Sequence, residues 1–258
     1  VVTGNTAIDA RKATVGEDYA DGRREWDKGS RLLVLTAHRR ENLGEPMHRM
    51  FRAIRRVVEE FPDVKVVYPV HLNPLVQKAA EEELGGCERV RLVEPLEVIE
   101  FHNLLARSTL ILTDSGGIQG EAPSLGKPVI VLRDTTERPE GIAAGTLKLA
   151  GTDEETIYTL VRELLTDREA YARMSHASNP YGDGLASRRI ADAIVAWNEK
   201  SLSGAALLAQ YARTVGKDRH LRQRIRSMQM TQMVNQHLSQ YIQDESAPRH
   251  GTRLRNLR

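Results

Sequence analysis

The sequence predicts an α/β fold, a doubly wound parallel sheet of the Rossmann-like kind, followed by a helical C-terminal extension. Between residues 31 and 198, short apolar runs alternate with segments whose apolar residues recur at helical spacing. The runs are apolar throughout, which is typical of strands buried on both faces of a parallel sheet. With 258 residues, 40% of them apolar, the chain is long enough for one large domain plus an extension.

The elements follow in order along the chain. Six apolar runs are predicted strands, at residues 32–35, 64–68, 89–93, 109–112, 129–132 and 147–149. Segments with helical spacing or helix-start signals are predicted helices, at residues 47–61, 75–84, 97–107, 122–126 and 153–165. Helices between consecutive strands provide the crossovers that parallel pairing requires.

Composition excludes several classes of protein. Cys87 is the one cysteine, so an internal disulfide and a cysteine-rich metal site are excluded, and a reducing cytoplasm suits the chain. Aromatic residues are 5% of the total, too few to predict a stacking platform for single-stranded nucleic acid. No apolar stretch approaches the roughly 18 residues of a membrane span, and the N-terminal residues do not resemble a signal peptide. We expect a cytoplasmic protein without membrane segment, cofactor or metal.

Charge divides the chain near residue 198. Residues 200–258 contain 11 Lys and Arg against 3 Asp and Glu, whereas the preceding 199 residues contain 26 against 32. An apolar stripe predicts a helix over residues 202–241, which carries the basic cluster Arg219, Arg222, Arg224 and Arg226. We favour a solvated helix with a disordered end at residues 246–258, and an arm that binds a partner or nucleic acid is the alternative.

Polar loops follow four of the predicted strands. They begin at His38, His71, Ser115 and Arg133, and the carboxyl ends of parallel strands form the ligand-binding edge of such a sheet. Each loop also has a purely structural interpretation. In that interpretation, His38 is a satisfied loop histidine, Arg39 and Arg40 are solvated, His71 caps a helix, and Glu137, Arg138 and Glu140 pair with one another.

The Ser115-Gly116-Gly117 turn is the most informative loop. It stands between a predicted strand and a predicted helix, where backbone N–H groups lack intrahelical partners and favour an anion. Glycines let a phosphate approach the backbone without a Cβ in the way. Glu121 lies farther along and suits neutral hydroxyls such as those of a ribose. The segment indicates a nucleoside diphosphate site, and a tight turn with an N-cap serine is the alternative.

Several motifs together resemble the non-hydrolysing UDP-N-acetylglucosamine 2-epimerases. They are Thr-Ala-His-Arg-Arg-Glu-Asn-Leu-Gly at residues 36–44, Pro-Val-His-Leu-Asn-Pro at 69–74, Thr-Asp-Ser-Gly-Gly at 113–117 and Thr-Glu-Arg-Pro-Glu at 136–140. Further agreement lies at residues 3–6, 145–149 and 179–184, so the resemblance covers residues 1 to about 196. It implies a glycosyltransferase-B-like architecture and the interconversion of UDP-GlcNAc and UDP-ManNAc by elimination and re-addition of UDP.

The resemblance also implies roles for individual residues. His38 and Arg138 approach the diphosphate or the sugar, and His38 is a candidate catalytic residue. The uracil is held by Phe101 and the backbone near Leu96. Phosphate oxygens are bound by Ser115, Gly116 and Gly117, and ribose hydroxyls by Glu121. Arg39 and His71 match positions that bind a second, regulatory UDP-GlcNAc in bacterial members. The other loop carboxylates, Glu41 and Asp114, are assigned to loop order and turn capping.

The chain departs from the family at its N-terminal side. Full members carry another half of comparable size, which supplies the acidic residues for proton transfer, and residues 1–6 match the region where the halves meet. We therefore expect residues 1–30 to be a linker with a remnant of that half, 31–198 the UDP-binding domain and 199–258 a basic, flexible tail. We expect weak UDP binding without epimerisation by the chain alone.

Other interpretations stay open at this point. They are a non-catalytic UDP-sugar-binding module, one chain of a split enzyme completed by a separate N-terminal half, and a hydrolysing epimerase that releases UDP and free ManNAc. The family commonly forms homodimers, and we expect no membrane partner and no nucleic-acid partner.

Overall fold

The structure, a computed structural model, describes residues 1–16, 19 and 24–198. The strands are β1 (Arg31–Thr36), β2 (Val64–Pro69), β3 (Val90–Val93), β4 (Leu110–Thr113), β5 (Val129–Val131) and β6 (Leu147–Leu149). The α-helices are α1 (Thr6–Thr14), α2 (Arg24–Asp27), α3 (Glu45–Glu60), α4 (Pro74–Leu84), α5 (Val98–Arg107), α6 (Gly116–Glu121), α7 (Pro139–Ala143), α8 (Glu154–Thr166) and α9 (Arg168–Ser175). Residues 186–198 are also helical.

The six strands form one parallel sheet in the order β3-β2-β1-β4-β5-β6. Leu33 in β1 pairs with Val66 on one side and Leu110 on the other, so β1 lies at the centre. The chain builds the sheet outward in one direction from β1 and then in the other from β4. Ligands of doubly wound sheets bind where the strand order reverses, which here is the edge between β1 and β4.

The sheet is covered on both faces, as the continuous apolar runs predicted. Leu33 and Leu35 belong to the cluster that packs on α3, α4 and α8, around Met47, Phe51 and Ile157. Their neighbours Leu32 and Val34 belong to the opposite cluster, with Leu104 and Leu105 of α5 and Ile118 of α6. Successive side chains of a strand point to opposite faces, so both sets are apolar when both faces are buried.

All six predicted strands are confirmed, and so are the long helices α3, α4, α5 and α8. The helix after the Ser-Gly-Gly turn begins at Gly116 rather than at residue 122, and residues 122–125 continue it as a 3-10 turn. The helices α1, α2, α7 and α9 and the helical residues 186–198 were not predicted from the sequence. Only Ile8 of α1 is buried, so α1 has no apolar stripe, and α7 has five residues.

Contacts divide the chain into one compact unit over Val1–Arg189 and a second from Ile190 onward. Within the first unit, α1 packs on α5 and α6. The predicted domain boundaries at residues 30 and 198 stay predictions. The predicted tail, with its helix over residues 202–241 and its arginine cluster, lies outside the described residues. Of the helices that the structure describes, none is long and apolar enough to cross a membrane.

Candidate functional site

Asp114 joins the loop after β1 to the loop after β4. Its Oδ2 accepts the backbone N–H groups of His38 and Arg39, both at 2.8 Å, and a side-chain N–H of Asn42 at 3.2 Å. Asp114 is fully buried. Charge-assisted bonds of this kind are among the stronger hydrogen bonds in proteins. Asp114 therefore orders the β1 loop, and its side-chain hydrogen bonds go to that loop rather than to the turn that carries it.

The rings of His38 and His71 stack, with centroids 5.3 Å apart and an interplanar angle of 28°. His38 follows β1 and His71 follows the neighbouring strand β2, so the two loops adjoin. Nδ1 of His71 accepts the Asn73 N–H at 3.0 Å, next to the Asn73 cap of α4. The His71 loop therefore has a local structural role in addition to facing His38.

Tyr68 supports the base of the His38 loop. Its hydroxyl donates to the carbonyl oxygen of Ala37 at 2.5 Å. Burial raises the pKa of Tyr68, and the nearby Asp114 charge raises it further. The hydroxyl thus stays protonated and remains a donor to Ala37 across the physiological range.

Glu137 bridges two arginines beside the start of α6. Its Oε1 lies 3.1 Å from Arg39 Nη2, and its Oε2 pairs with Arg133 Nη1. A bond from its own backbone N–H lowers the pKa of Glu137, and the charges of Arg133 and Arg39 lower it further. A methyl group added at Gly116 would collide with Glu137 Oε1, so the glycine permits this close approach. The alternative that Glu137, Arg138 and Glu140 pair with one another fails for Glu137.

The side chains of Ser115 and Glu121 both come close to Gly117. A methyl group added at Gly117 would lie 3.6 Å from Glu121 Oε1 and 3.8 Å from Ser115 Oγ. Ser115 is the N-cap residue of α6, yet its side chain makes no capping hydrogen bond. Gly117 is exposed. The hydroxyl, the carboxylate and open backbone therefore face one space.

The second carboxylate oxygen of Glu121 contacts His102 of α5. Oε2 lies 3.2 Å from Nε2 of His102, and Nδ1 of His102 lies 2.6 Å from the Thr14 hydroxyl on α1. On the α1 side, the Glu121 charge also acts on Arg11, where burial lowers the arginine pKa and Glu121 opposes that shift. Glu121 is thus held between α5 and α1.

The loop that carries Arg138 is tied to α6. The Arg138 N–H donates to Thr136 Oγ1 at 3.0 Å, and the Thr136 hydroxyl donates to Gln119 Oε1 at 2.5 Å. Tyr181 Oη donates to the Arg138 carbonyl oxygen at 3.2 Å. Arg138 Nε and Gln119 Nε2 are buried and find no hydrogen-bond partner within the described part of the chain. Buried donors usually have partners, so these two nitrogens are among the exceptions in that part of the chain.

Leu96 and Phe101 lie on the β3–α5 side of this edge. Both are partly buried against the cluster that contains Val34 and Leu104. Their side chains therefore pack on the core, and the predicted contact of this region with uracil stays a prediction.

The sequence model of the UDP-N-acetylglucosamine 2-epimerases matches residues 1–195. The UDP-N-acetylglucosamine 2-epimerase of Bacillus subtilis is 65% identical over 194 residues, which cover 75% of this chain and 51% of that protein. The chain belongs to the UDP-N-acetylglucosamine 2-epimerase family. It spans about half the length of the curated relatives that it matches.

Solved structures of the epimerase family agree with the fold. An S. aureus UDP co-structure is 51% identical with a TM-score of 0.75, and the match covers 77% of this chain and 55% of that one. The Neisseria meningitidis UDP-GlcNAc 2-epimerase bound to UDP-GlcNAc is 41% identical with a TM-score of 0.70, covering 76% and 55%. At the level of the fold alone, the C-terminal domain of a Francisella tularensis group 1 glycosyl transferase matches with 12% identity, a TM-score of 0.50, and 69% and 97% coverage.

In this epimerase-family chain, the structure gathers most residues that the sequence singled out. His38 meets His71, Arg39 meets both Asp114 and Glu137, and Ser115 meets Glu121 across Gly117. Sequence reasoning missed His102, Thr14 and Gln119. His102 and Asn103 stand among the apolar residues of α5. Because buried polar residues need partners, this pair was the available signal of a polar contact.

Across residues 1–16, 19 and 24–198, no three His, Cys, Asp or Glu side chains gather in a way that would hold a metal ion.

Proposed function

We propose that this chain binds the UDP part of UDP-N-acetylglucosamine and serves in its 2-epimerisation. The observation that carries the proposal is the space around Gly117, which the Ser115 hydroxyl and the Glu121 carboxylate border. This space lies at the reversal of strand order, where doubly wound sheets bind nucleotides. Family membership and relatives with bound UDP and UDP-GlcNAc support the same ligand.

The proposed contacts follow from the chemistry of each group. Ser115 and the backbone of Gly116 and Gly117 donate to phosphate oxygens, and Glu121 accepts from ribose hydroxyls. Arg138 supplies a cation for the diphosphate, since guanidinium groups form strong charge-assisted bonds with phosphate oxygens. Leu96 and Phe101 line the uracil side.

Two further groups complete the proposed arrangement. His38 faces the diphosphate or the sugar, and Arg39 with His71 binds a second, regulatory UDP-GlcNAc. The stacking of His38 on His71 supports two adjoining sites, because one ring belongs to each.

The proposed reaction eliminates UDP and adds it back after C2 is reprotonated on the other face, which requires a general acid and a general base. Four of the carboxylates at this edge already have partners. Asp114 binds backbone N–H groups, Glu137 binds two arginines, Glu41 pairs with Arg133 and Glu121 contacts His102. We therefore propose that the chain holds the leaving nucleotide and does not epimerise by itself.

Saturation-transfer NMR with UDP-GlcNAc tests the binding proposal. We expect strong transfer to the uracil and ribose protons, and displacement by UDP but not by ADP. Absence of transfer, or equal displacement by ADP, would contradict the proposed site. Incubation of the same sample with UDP-GlcNAc tests the second part, and sustained formation of UDP-ManNAc would show that the chain is active alone.

The proposed function also includes the oligomeric state of the chain. We propose a homodimer, in keeping with the family. The alternative is that a separate chain supplies the N-terminal half of the enzyme. Light scattering on the purified chain distinguishes a dimer from a monomer.

A further inference from the structure

The two carboxylate oxygens of Glu121 have different surroundings. Oε2 lies 3.2 Å from His102 Nε2, while Oε1 lies on the side of exposed Gly117. The side chain of His102 is 7% exposed and that of Glu121 is 19% exposed. The contact with His102 is therefore largely shielded from water, whereas Oε1 faces the proposed ligand space.

The contact with Glu121 indicates that Nε2 of His102 carries a proton. An ionised carboxylate can only accept, so Nε2 is the donor to Glu121. Nδ1 lies 2.6 Å from Thr14 Oγ1, and a hydroxyl serves as donor to a neutral ring or as acceptor from a charged one. Both ring nitrogens are thus engaged, and the plane of the imidazole is set from two helices, α1 and α6.

We infer that His102 is a positioning residue, which holds Oε2 of Glu121 so that Oε1 stays turned toward Gly117 and the ribose hydroxyls of a nucleoside diphosphate. This inference rests on the proposed function. A glutamate side chain without the contact has several rotamers available, and its free oxygen would leave the position beside Gly117 for part of the time. Support of this kind by a buried neighbour is how binding groups are kept in productive geometry.

Two amide substitutions separate the positioning role from a packing role. In His102→Gln the side-chain amide nitrogen reaches the position of Nε2 and still donates to Glu121. In His102→Asn the amide reaches only the position of Nδ1, so the contact with Thr14 is kept and the contact with Glu121 is lost. Both variants replace the imidazole by an uncharged amide, which makes them a matched pair.

The readout is the ratio of affinities for UDP and for 2′,3′-dideoxy-UDP, measured by calorimetry on the full 258-residue chain. A hydrogen bond to a charged group is worth about tenfold or more in affinity, so the unaltered chain should prefer UDP by about that factor. We expect His102→Gln to keep most of this preference. We expect His102→Asn to reduce it to about threefold or less, with dideoxy-UDP affinity nearly unchanged.

Thr14→Val is a second variant, because a substitution at buried His102 can prevent folding. It removes the hydroxyl beside Nδ1 at nearly constant volume and should give an intermediate preference. Equal preference for UDP in the unaltered chain, His102→Asn and Thr14→Val would overturn the positioning role and leave the proposed function intact. An unaltered chain that binds no UDP, or binds both nucleotides equally, would overturn the proposed ribose site and the inference with it.

Discussion

Oδ2 of Asp114 accepts the backbone N–H of His38 at 2.8 Å, and this bond connects the two loops at the edge where the strand order reverses. The same oxygen accepts the Arg39 N–H at 2.8 Å. One buried carboxylate thus determines where His38 and Arg39 stand relative to the Ser-Gly-Gly turn. The candidate site depends on this connection because its groups come from separate loops.

Asp114→Ala tests that connection. The substitution leaves the N–H groups of His38 and Arg39 without their shared acceptor, and each unsatisfied buried group costs about 1–3 kcal/mol. We expect a loss of about 3 kcal/mol in the free energy of unfolding, measured in urea. Asp134→Ala, at an exposed position, is the control and should change it by less than about 0.5 kcal/mol. Equal stability of the two variants would contradict the role of Asp114.

Tyr68→Phe removes the donor to Ala37. The carbonyl oxygen would remain in a fully buried place without its partner, at a cost of about 1–3 kcal/mol in unfolding free energy. Tyr158→Phe removes a contact with partly exposed Glu60 and should cost less than about 1 kcal/mol. Thermal and urea unfolding of the two variants provide the comparison, and a smaller loss for Tyr68→Phe would refute the argument.

Gly117→Ala tests whether the space beside Gly117 holds the ligand. The added methyl meets Glu121 and Ser115 only at ordinary contact distance, so the fold should be unaffected. Because the methyl would occupy the place proposed for a phosphate, UDP affinity should fall by about tenfold or more, or about 1.4 kcal/mol. Unchanged UDP affinity in a correctly folded variant would exclude this location.

The Glu137 bridge predicts a dependence of stability on pH. The folded pKa of Glu137 is lowered, so its pairing with Arg39 and Arg133 contributes fully above the unfolded pKa, near 4.5. The contribution is lost as the pH falls through the lowered folded pKa. We expect the stability difference between the unaltered chain and Glu137→Gln to be constant above about pH 6 and to shrink as the pH falls below the unfolded pKa, near 4.5. A difference that grows as the pH falls would contradict the assignment.

The sheet was predictable because its strands are apolar on both faces. The runs around Leu33 in β1 and Ile111 in β4 contain only apolar residues over at least three successive positions. The loops that carry His38, His71, Ser115 and Arg138 were predictable as neighbours, since parallel strands bring their carboxyl ends to one edge. Sequence spacing alone places these residues on the edge without specifying their partners.

The partners depend on tertiary contacts that spacing does not encode. His102 meets Glu121 only because α5 and α6 pack together, and Thr14 meets His102 only because polar α1 lies against them. Glu137 pairs with Arg39 across 98 residues of chain, whereas its sequence neighbours suggested local pairing. Each of these contacts requires the folded sheet before it can form.

Calorimetric titration of UDP into the unaltered chain and into the double variant Ser115→Ala, Glu121→Gln decides whether the nucleotide binds beside Gly117. The double variant removes the hydroxyl and the carboxylate charge close to Gly117 with little change of shape. We predict one UDP per chain, and a loss of affinity of about tenfold or more in the double variant. Equal binding of UDP by both proteins, or no binding by either, would rule out a UDP site at the Ser-Gly-Gly turn.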